Sequence, residues 1–354
     1  MWKKPTLIID KLKVKRNIEK MLRKTVESKV VFRPHFKTHQ SVEIGEILRE
    51  KGVDKITVSS VSMAEYFADH GWNDITIAFP VNLLEINEIN KLASNISLNL
   101  LVESSFSTEF LAEQLSHDVG IFIKIDTGYH RTGIDALNYK EIDSIIKIIK
   151  TAEHLQFKGF LAHAGHTYSA TSVSGIEDIY QTSISMLNEL KRRYIDDFPK
   201  LIISYGDTPS CSIIEDFSNV DEIRPGNFVY YDVMQYQIGS CATDDIAVAM
   251  ACPVVAVHPE RNELVIYGGA VHLSKEFITD NDGKKNYGLA VHIDKNGWGQ
   301  PIEGAYVSSI SQEHGIIKMK STDLSRFKPG DIIGILTIHS CLSANLLLEN
   351  THLL

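Results

Sequence analysis

What this sequence lacks narrows its function before any motif is read. Among 354 residues there are four cysteines, Cys211, Cys241, Cys252 and Cys341. They lie far apart and form no C-x-x-C, which argues against a disulfide framework and for a reducing compartment. No apolar run approaches the roughly 20 residues that a membrane helix needs. The opening Met1–Asp10 stretch holds too short an apolar segment for a signal peptide. Positive charge is in deficit, with a formal net charge of -9, which argues against a nucleic-acid partner or an anionic membrane. No G-x-G-x-x-G follows the first strand, which weighs against a dinucleotide-binding fold. Repeats, low-complexity segments and long linkers are also missing. These absences leave a cytoplasmic globular protein.

What is present has a regular order. Hydrophobic residues make up 44% and charged residues 23%, ordinary for a soluble domain. The length suffices for two domains and a large core. Short β-type runs at Val30–Arg33, Lys55–Val61, Asp74–Phe79, Ser97–Glu103, Val119–Asp126, Phe157–His163, Leu201–Tyr205 and Glu222–Tyr230 alternate with amphipathic stretches such as Val42–Lys51, Leu137–His154 and Ile176–Tyr194. Such alternation implies parallel strands with helical crossovers, and eight of them favour closure. From about Ala247 the texture changes to short β-type runs divided by turn signals, including Asn281-Asp282-Gly283 and Lys328-Pro329-Gly330-Asp331. The expected fold is α/β: an eight-stranded (β/α)8 TIM-type barrel over residues 11–242, followed by an all-β C-terminal domain over 243–354 that residues 1–10 join.

Chemistry-bearing residues collect at the carboxyl ends of the barrel strands, where such barrels act. Arg33-Pro34-His35-Phe36-Lys37-Thr38-His39 follows a strand and precedes a helix. A lysine there loses hydration, its pKa tends to fall, and it can form a Schiff base with an aldehyde cofactor. Taken alone, the plainer reading is a surface lysine beside two solvated histidines. Asp126–Gly133 carries two glycines that permit close approach and Arg131, which suits a phosphate, carboxylate or ring oxygen; a tight turn with a salt-bridged arginine reads equally well. His163, His166 and Tyr168 follow the sixth strand and can ligate metal, move protons or bond a cofactor. Ser204-Tyr205-Gly206-Asp207-Thr208 runs towards a helix N-terminus and suits a phosphate, with Arg224, Gly226 and Asn227 after strand eight as the other half of a cradle; two ordinary turns are the alternative. His339-Ser340-Cys341 ends the apolar run Ile332–Ile338, and residues two apart on a strand point the same way. Imidazole and thiolate so placed can bind one borderline metal, most naturally zinc, although a buried cysteine beside a histidine is commoner.

Together these motifs resemble the D-threonine aldolase and eukaryotic-type D-serine dehydratase family, alanine-racemase-like enzymes of pyridoxal 5'-phosphate. Arg33-Pro34-His35-x-Lys37-Thr38-His39 and His339-x-Cys341 are its specific parts, with Asp126–Gly133, Gly165-His166-x-Tyr168, Gly206–Pro209, Arg224–Gly226 and Glu313–Gly315 between them. The resemblance implies that Lys37 binds the cofactor and abstracts the α-proton of a D-amino acid. It implies that Thr208, Gly226 and Asn227 hold the phosphate, with Ser204, Asp207 and His163 in the same cofactor site. Arg131, Tyr168 and Arg224 would face the pyridine ring. His339 and Cys341 would hold a divalent metal, zinc or else manganese, against the substrate's 3-hydroxyl. His-x-Cys, rather than the aldolases' His-x-Asp, favours dehydration of D-serine or 3-hydroxy-D-aspartate. Retro-aldol cleavage, with His35 or His166 as base, is the alternative. A racemase would need a second base such as Tyr287 or Tyr306, and a non-catalytic cofactor-binding protein ranks last. The resemblance also implies a homodimer. One departure stands out: Asp207 occupies a position where the family usually has serine, and a carboxylate beside a phosphate is unfavourable.

Overall fold

The computed structural model describes residues 2–279 and 282–354. In chain order its elements are β1 (Thr6–Ile9), α1 (Lys11–Ser28), β2 (Val31–Phe32), α2 (Val42–Glu50), β3 (Ile56–Val58), α3 (Val61–Asp69), β4 (Asp74–Pro80), α4 (Ile86–Ala93), β5 (Ser97–Val102), α5 (Ser105–Gln114), β6 (Val119–Asp126), β7 (Ile134–Asp135), α6 (Tyr139–Thr151), β8 (Leu155–Ala162), α7 (Val173–Tyr194), β9 (Ile202–Tyr205), α8 (Thr208–Ile213) and β10 (Glu222–Ile223). Then follow α9 (Val233–Gln237), β11 (Val248–His258), β12 (Glu263–Tyr267), α10 (Ala270–Leu273), β13 (Ile278–Thr279), β14 (Lys285–Asn286), β15 (Gly288–Asp294), β16 (Gly297–Ile310), β17 (His314–Lys318), α11 (Ser321–Leu324), β18 (Ile332–Thr337), α12 (Ser340–Leu346) and β19 (Thr351–Leu353). Two compact units emerge: Lys20–Lys37 with Ser41–Gly226, and Met1–Glu19 with Thr38–Gln40 and Asn227–Leu354.

In the first unit the parallel strands run in the order β2-β10-β9-β8-β6-β5-β4-β3. The ring closes where His35 bridges Thr57 in parallel, so the eight-stranded barrel expected from the sequence is formed. Side chains fill its interior, with Leu101, Phe122 and Leu161 forming a buried layer against Ala78 and Ile202. The helices start where a short polar side chain takes up an orphan N–H: Ser41 accepts from Ile44, Ser60 from Met63, Ser104 from Ser107 and Ser172 from Gly175. Each such cap contributes about 1 kcal/mol and fixes where the preceding strand-end loop must stop.

The second unit is antiparallel. Strands β11, β12, β17, β16, β15 and β18 pair in a closed cycle, and β1 lies against β11 as expected. The C-terminal β19 pairs in parallel with β1, which sequence patterning did not show. Asn281 of the expected 281–283 turn lies outside the described residues.

Two local expectations are corrected. The eighth barrel strand is only Glu222–Ile223, because Asn227–Val229 turn as a short 3-10 helix. His339 and Cys341 do not continue a strand: β18 stops at Thr337, His339 is the N-cap of α12, and Cys341 sits in that helix's first turn. Alternation along a strand therefore does not bring their side chains together; the change of direction at the cap does.

Candidate active site

The Lys37 segment is clamped on both sides within the barrel unit. Arg33 N–H donates to Ile223 O and His35 N–H to Pro225 O, while Phe36 N–H donates to Thr57 O and Thr57 N–H to Pro34 O. Phe36 is buried edge-on to Phe67 and Trp72, at ring-centroid distances of 4.9 and 5.0 Å. The base of Lys37 is thereby fixed, with its N–H on His35 Nδ1 at 3.4 Å. Lys37 itself is exposed, so the loss of hydration expected at this lysine is not seen in the chain. The desolvated lysine is a different one, Lys124 of β6, which is 6% exposed. Burial first, then the charges of Arg224 and Arg131, push its amine down to about 7.

Lys37 and Lys124 both act on His163. Its Nδ1 lies 2.5 Å from Gly206 O, so that nitrogen carries the proton. Burial, then the charges of Lys37 and Lys124, hold the ring well below the usual histidine range. It is neutral, and Nε2 is left as an acceptor. His166 stacks on Tyr129 with centroids 6.2 Å apart, and its buried Nδ1 has no hydrogen-bond partner. Arg131 is exposed and lies over the Tyr129 ring at 4.8 Å. The loop carrying it is held by Asp126, whose Oδ1 accepts from the N–H groups of Gly128, Tyr129 and His130. Burial raises that carboxyl, but these hydrogen bonds outweigh it and the pKa falls below the usual range. Gly133 is needed for the loop to close on its own strand: at φ +113, a Cβ would sit 2.7 Å from Asp126 N.

The phosphate-type loop is tightly built. A Cβ on Gly206 would lie 2.9 Å from the Arg224 backbone. Asp207 caps α8 and turns inward: its Oδ1 accepts from Ser210 N–H at 2.7 Å and the Thr167 hydroxyl at 3.0 Å. One oxygen of the odd carboxylate is thus used on the helix end, while the buried Oδ2 has no hydrogen-bond partner. Thr208 N–H donates to Tyr168 OH at 3.3 Å, while the fully buried Thr208 Oγ1 has no hydrogen-bond partner. Ser204 and Arg224 belong to an internal chain. Arg224 Nε donates to Ser204 Oγ, which donates to Glu222 Oε1, each at 2.6 Å. Glu222 Oε2 in turn accepts from Arg33 Nε at 2.6 Å, and Arg33 Nη1 reaches Asp74 Oδ1 at 2.6 Å. Burial draws the Arg224 guanidinium down to about 10.

In the β unit, His339 and Cys341 meet. Burial works against a charged His339, but the hydrogen bond and charge of Cys341 prevail and raise the imidazole to about 9. Asn227, expected in the phosphate cradle, uses its amide here: Nδ2 donates to Asp232 Oδ2 at 2.7 Å and Ser340 Oγ at 3.0 Å, and lies 3.5 Å from Cys341 Sγ. Among the described residues no group of three or more His, Cys, Asp or Glu is placed to hold a metal.

The residues fit both implied groups. A buried, unpartnered Thr208 hydroxyl at the start of a helix suits a phosphate oxygen, and the same barrel unit carries crowded cations at Lys124, Arg131 and Arg224. An imidazole drawn towards protonation by a neighbouring sulfur suits a cation, with two protein ligands leaving positions for water or substrate.

Residues 9–233 match the family described as alanine racemase, N-terminal domain, and residues 247–350 match the putative serine dehydratase domain. The chain belongs to this family. It is 30% identical over 372 residues to D-serine dehydratase of Dictyostelium discoideum, covering 96% of this chain and 90% of that one. Among solved structures, D-threo-3-hydroxyaspartate dehydratase from Delftia sp. HT23 superposes with a TM-score of 0.87 at 25% identity, over 98% of this chain and 93% of that one. A mutant of that dehydratase has been solved in a metal-free form. D-threonine aldolase from Filomicrobium marinum shares the fold, with a TM-score of 0.81 at 18% identity over 96% and 89% of the two chains. The resemblance read from the lysine and His-x-Cys motifs is borne out, as is the barrel-plus-β fold class.

Within this family frame, sequence reasoning passed over Lys124, Thr38 and Asp232. A lone cation inside the otherwise apolar Val119–Ile125 run was the available signal for Lys124. Asp232 caps a helix through Gln235 N–H, and its second oxygen also takes Ser340 N–H at 3.0 Å.

Proposed function

We infer that this chain is a pyridoxal 5'-phosphate-dependent lyase that dehydrates and deaminates 3-hydroxy D-amino acids of the D-serine or 3-hydroxy-D-aspartate type. The observation that carries this reading is the His339–Cys341 contact, in a chain matched over nearly its whole length by proteins named dehydratases. When bound, the cofactor supplies an electron sink for charge developing at the substrate α-carbon. Lys37 would hold the cofactor's aldehyde carbon and would act as the base for the substrate's α-proton. The Gly206–Thr208 backbone and Thr208 Oγ1 bind the phosphate, with Gly226 beside them. Arg131, Tyr168 and Arg224 orient the ring, and neutral His163 keeps an acceptor on Nε2. His339 and Cys341 hold a divalent ion, zinc by the chemistry of the donor set with manganese as the alternative, which supplies Lewis acidity at the 3-oxygen.

The division of labour proposed is a cofactor barrel over 11–242 and a metal-bearing β domain from 1–10 with 243–354. A homodimer and a cytoplasmic location complete the reading; scattered cysteines support the second, and sedimentation of purified protein tests the first. No helix among the described residues is long and apolar enough to cross a membrane.

The decisive experiment incubates the purified protein with D-serine, D-threonine and 3-hydroxy-D-aspartate, with and without chelator. A 2-oxo acid and ammonia, lost on chelation, are expected. Glycine with an aldehyde would make it an aldolase, the L-enantiomer a racemase, and no turnover with metal supplied a non-catalytic protein.

A further inference from the structure

The residue after the lysine has a role of its own. Thr38 is fully buried, and its Oγ1 lies 3.2 Å from Cys341 Sγ within the β unit. A cysteine that ligates a metal does so as thiolate and has no proton to give, so the hydroxyl must be the donor. Asn227 Nδ2 faces the same sulfur at 3.5 Å. The orientation of that amide is not arbitrary: Asp232 Oδ2 at 2.7 Å can only accept, so the edge facing it must be nitrogen. Asp232 Oδ2 also takes the N–H of Ser340, the residue between the two ligands, at 3.0 Å and its hydroxyl at 3.3 Å. The Cys341 sulfur is thus approached from behind by the Thr38 hydroxyl, and the residue between the two ligands is held on Asp232.

We propose that Thr38 is a positioning residue of the metal centre, which donates a hydrogen bond to the Cys341 sulfur and so sets its direction and its donor strength. This rests on the metal reading of His339 and Cys341. Outer-shell partners of this kind orient the ligand and tune the ion. Their removal leaves the sulfur lone pairs higher in energy and the side chain less constrained.

The test uses full-length, cofactor-loaded protein stripped of metal and titrated with Co2+, read by the thiolate-to-cobalt absorption band and by competition with a chromophoric chelator. Thr38→Val should bind Co2+ about tenfold more weakly, with the band moved to longer wavelength. Thr38→Ser, which keeps the hydroxyl, should hold both near the wild-type values. A merely structural role would not move the band. Thr38→Val that retains wild-type affinity and band position overturns the proposal, as does Thr38→Ser that behaves like Thr38→Val. A wild-type protein that shows no thiolate band, or one unaffected by Cys341→Ala, overturns the metal reading itself and this proposal with it.

Discussion

The two functional clusters of this molecule have opposite electrostatic deficits. In the barrel unit, cations crowd one another: Lys124 is pushed down to about 7 and Arg224 to about 10, in each case first by burial, and His163 is held well below its ordinary range by burial and the nearby lysines. In the β unit, burial of His339 is overcome by a sulfur and, further off, by Asp232 and Glu276, so the imidazole rises to about 9. A bound anion would relieve the first cluster, and a bound cation would suit the second. A buried cluster with unbalanced charge is costly to maintain, and such clusters concentrate at functional sites. The contrast therefore supports the anion and the cation proposed above for the two clusters.

The strongest way to break the contrast is Lys37→Ala. It should abolish the visible absorbance of a lysine-bound cofactor and lower turnover by about 10³-fold or more. A visible absorbance that persists in Lys37→Ala and is abolished by borohydride would show an aldimine on another amine and remove Lys37 from the role. Next, Arg33→Met leaves Glu222 and Asp74 without their arginine; with these side chains 7%, 3% and 23% exposed, breaking the pair should cost about 3–5 kcal/mol in denaturant unfolding. A loss under about 1 kcal/mol would show that this network does not anchor the Lys37 strand. Third, chelation or His339→Ala should reduce kcat by about 10²-fold, since Lewis-acid stabilisation is worth several kcal/mol, while absorbance of the lysine-bound cofactor survives. If activity survives instead, the β-unit cluster is not the cation site.

The smallest effect is on pH. The unfolded chain keeps its proton on Lys124 up to about the ordinary 10.5, the native chain only up to about 7. Between those values the unfolded state binds more protons, so this lysine makes stability rise with pH across the window and destabilises the fold fully below it. Lys124→Met should flatten that rise in the cofactor-free protein and raise its stability at pH 7. Equal slopes in variant and wild type would show that the barrel cluster is not strained by like charge.

Much of this was legible in the sequence, for identifiable reasons. Alternating β and α runs gave the barrel because buried parallel strands need continuous apolar stretches, and β6 supplies one from Val119 to Ile125, interrupted only by Lys124. Lys37, His163 and Thr208 were singled out because strand-end loops carry the chemistry of such barrels. The geometry of His339 and Cys341 was not. The apolar run gave no sign that β18 would end at Thr337 and α12 begin at Ser340. The helix-capping use of Asp207 was not legible, because only the fold shows its Oδ1 turned onto Ser210 and Thr167. The engagement of the Asn227 amide by Asp232 was likewise not legible, since its sequence neighbours pointed only to the cradle.

Proton linkage tests the opposite deficits most directly. Pyridoxine 5'-phosphate carries the phosphate and ring but no aldehyde, so it binds without bonding to Lys37. Calorimetric titration at pH 7.5 in two buffers of different ionisation heat should show net proton uptake by the protein, because an anion raises an amine poised near about 7, and the uptake should vanish in Lys124→Met. Binding with no proton exchange, or with proton release, in the wild-type protein would contradict a barrel cluster short of negative charge.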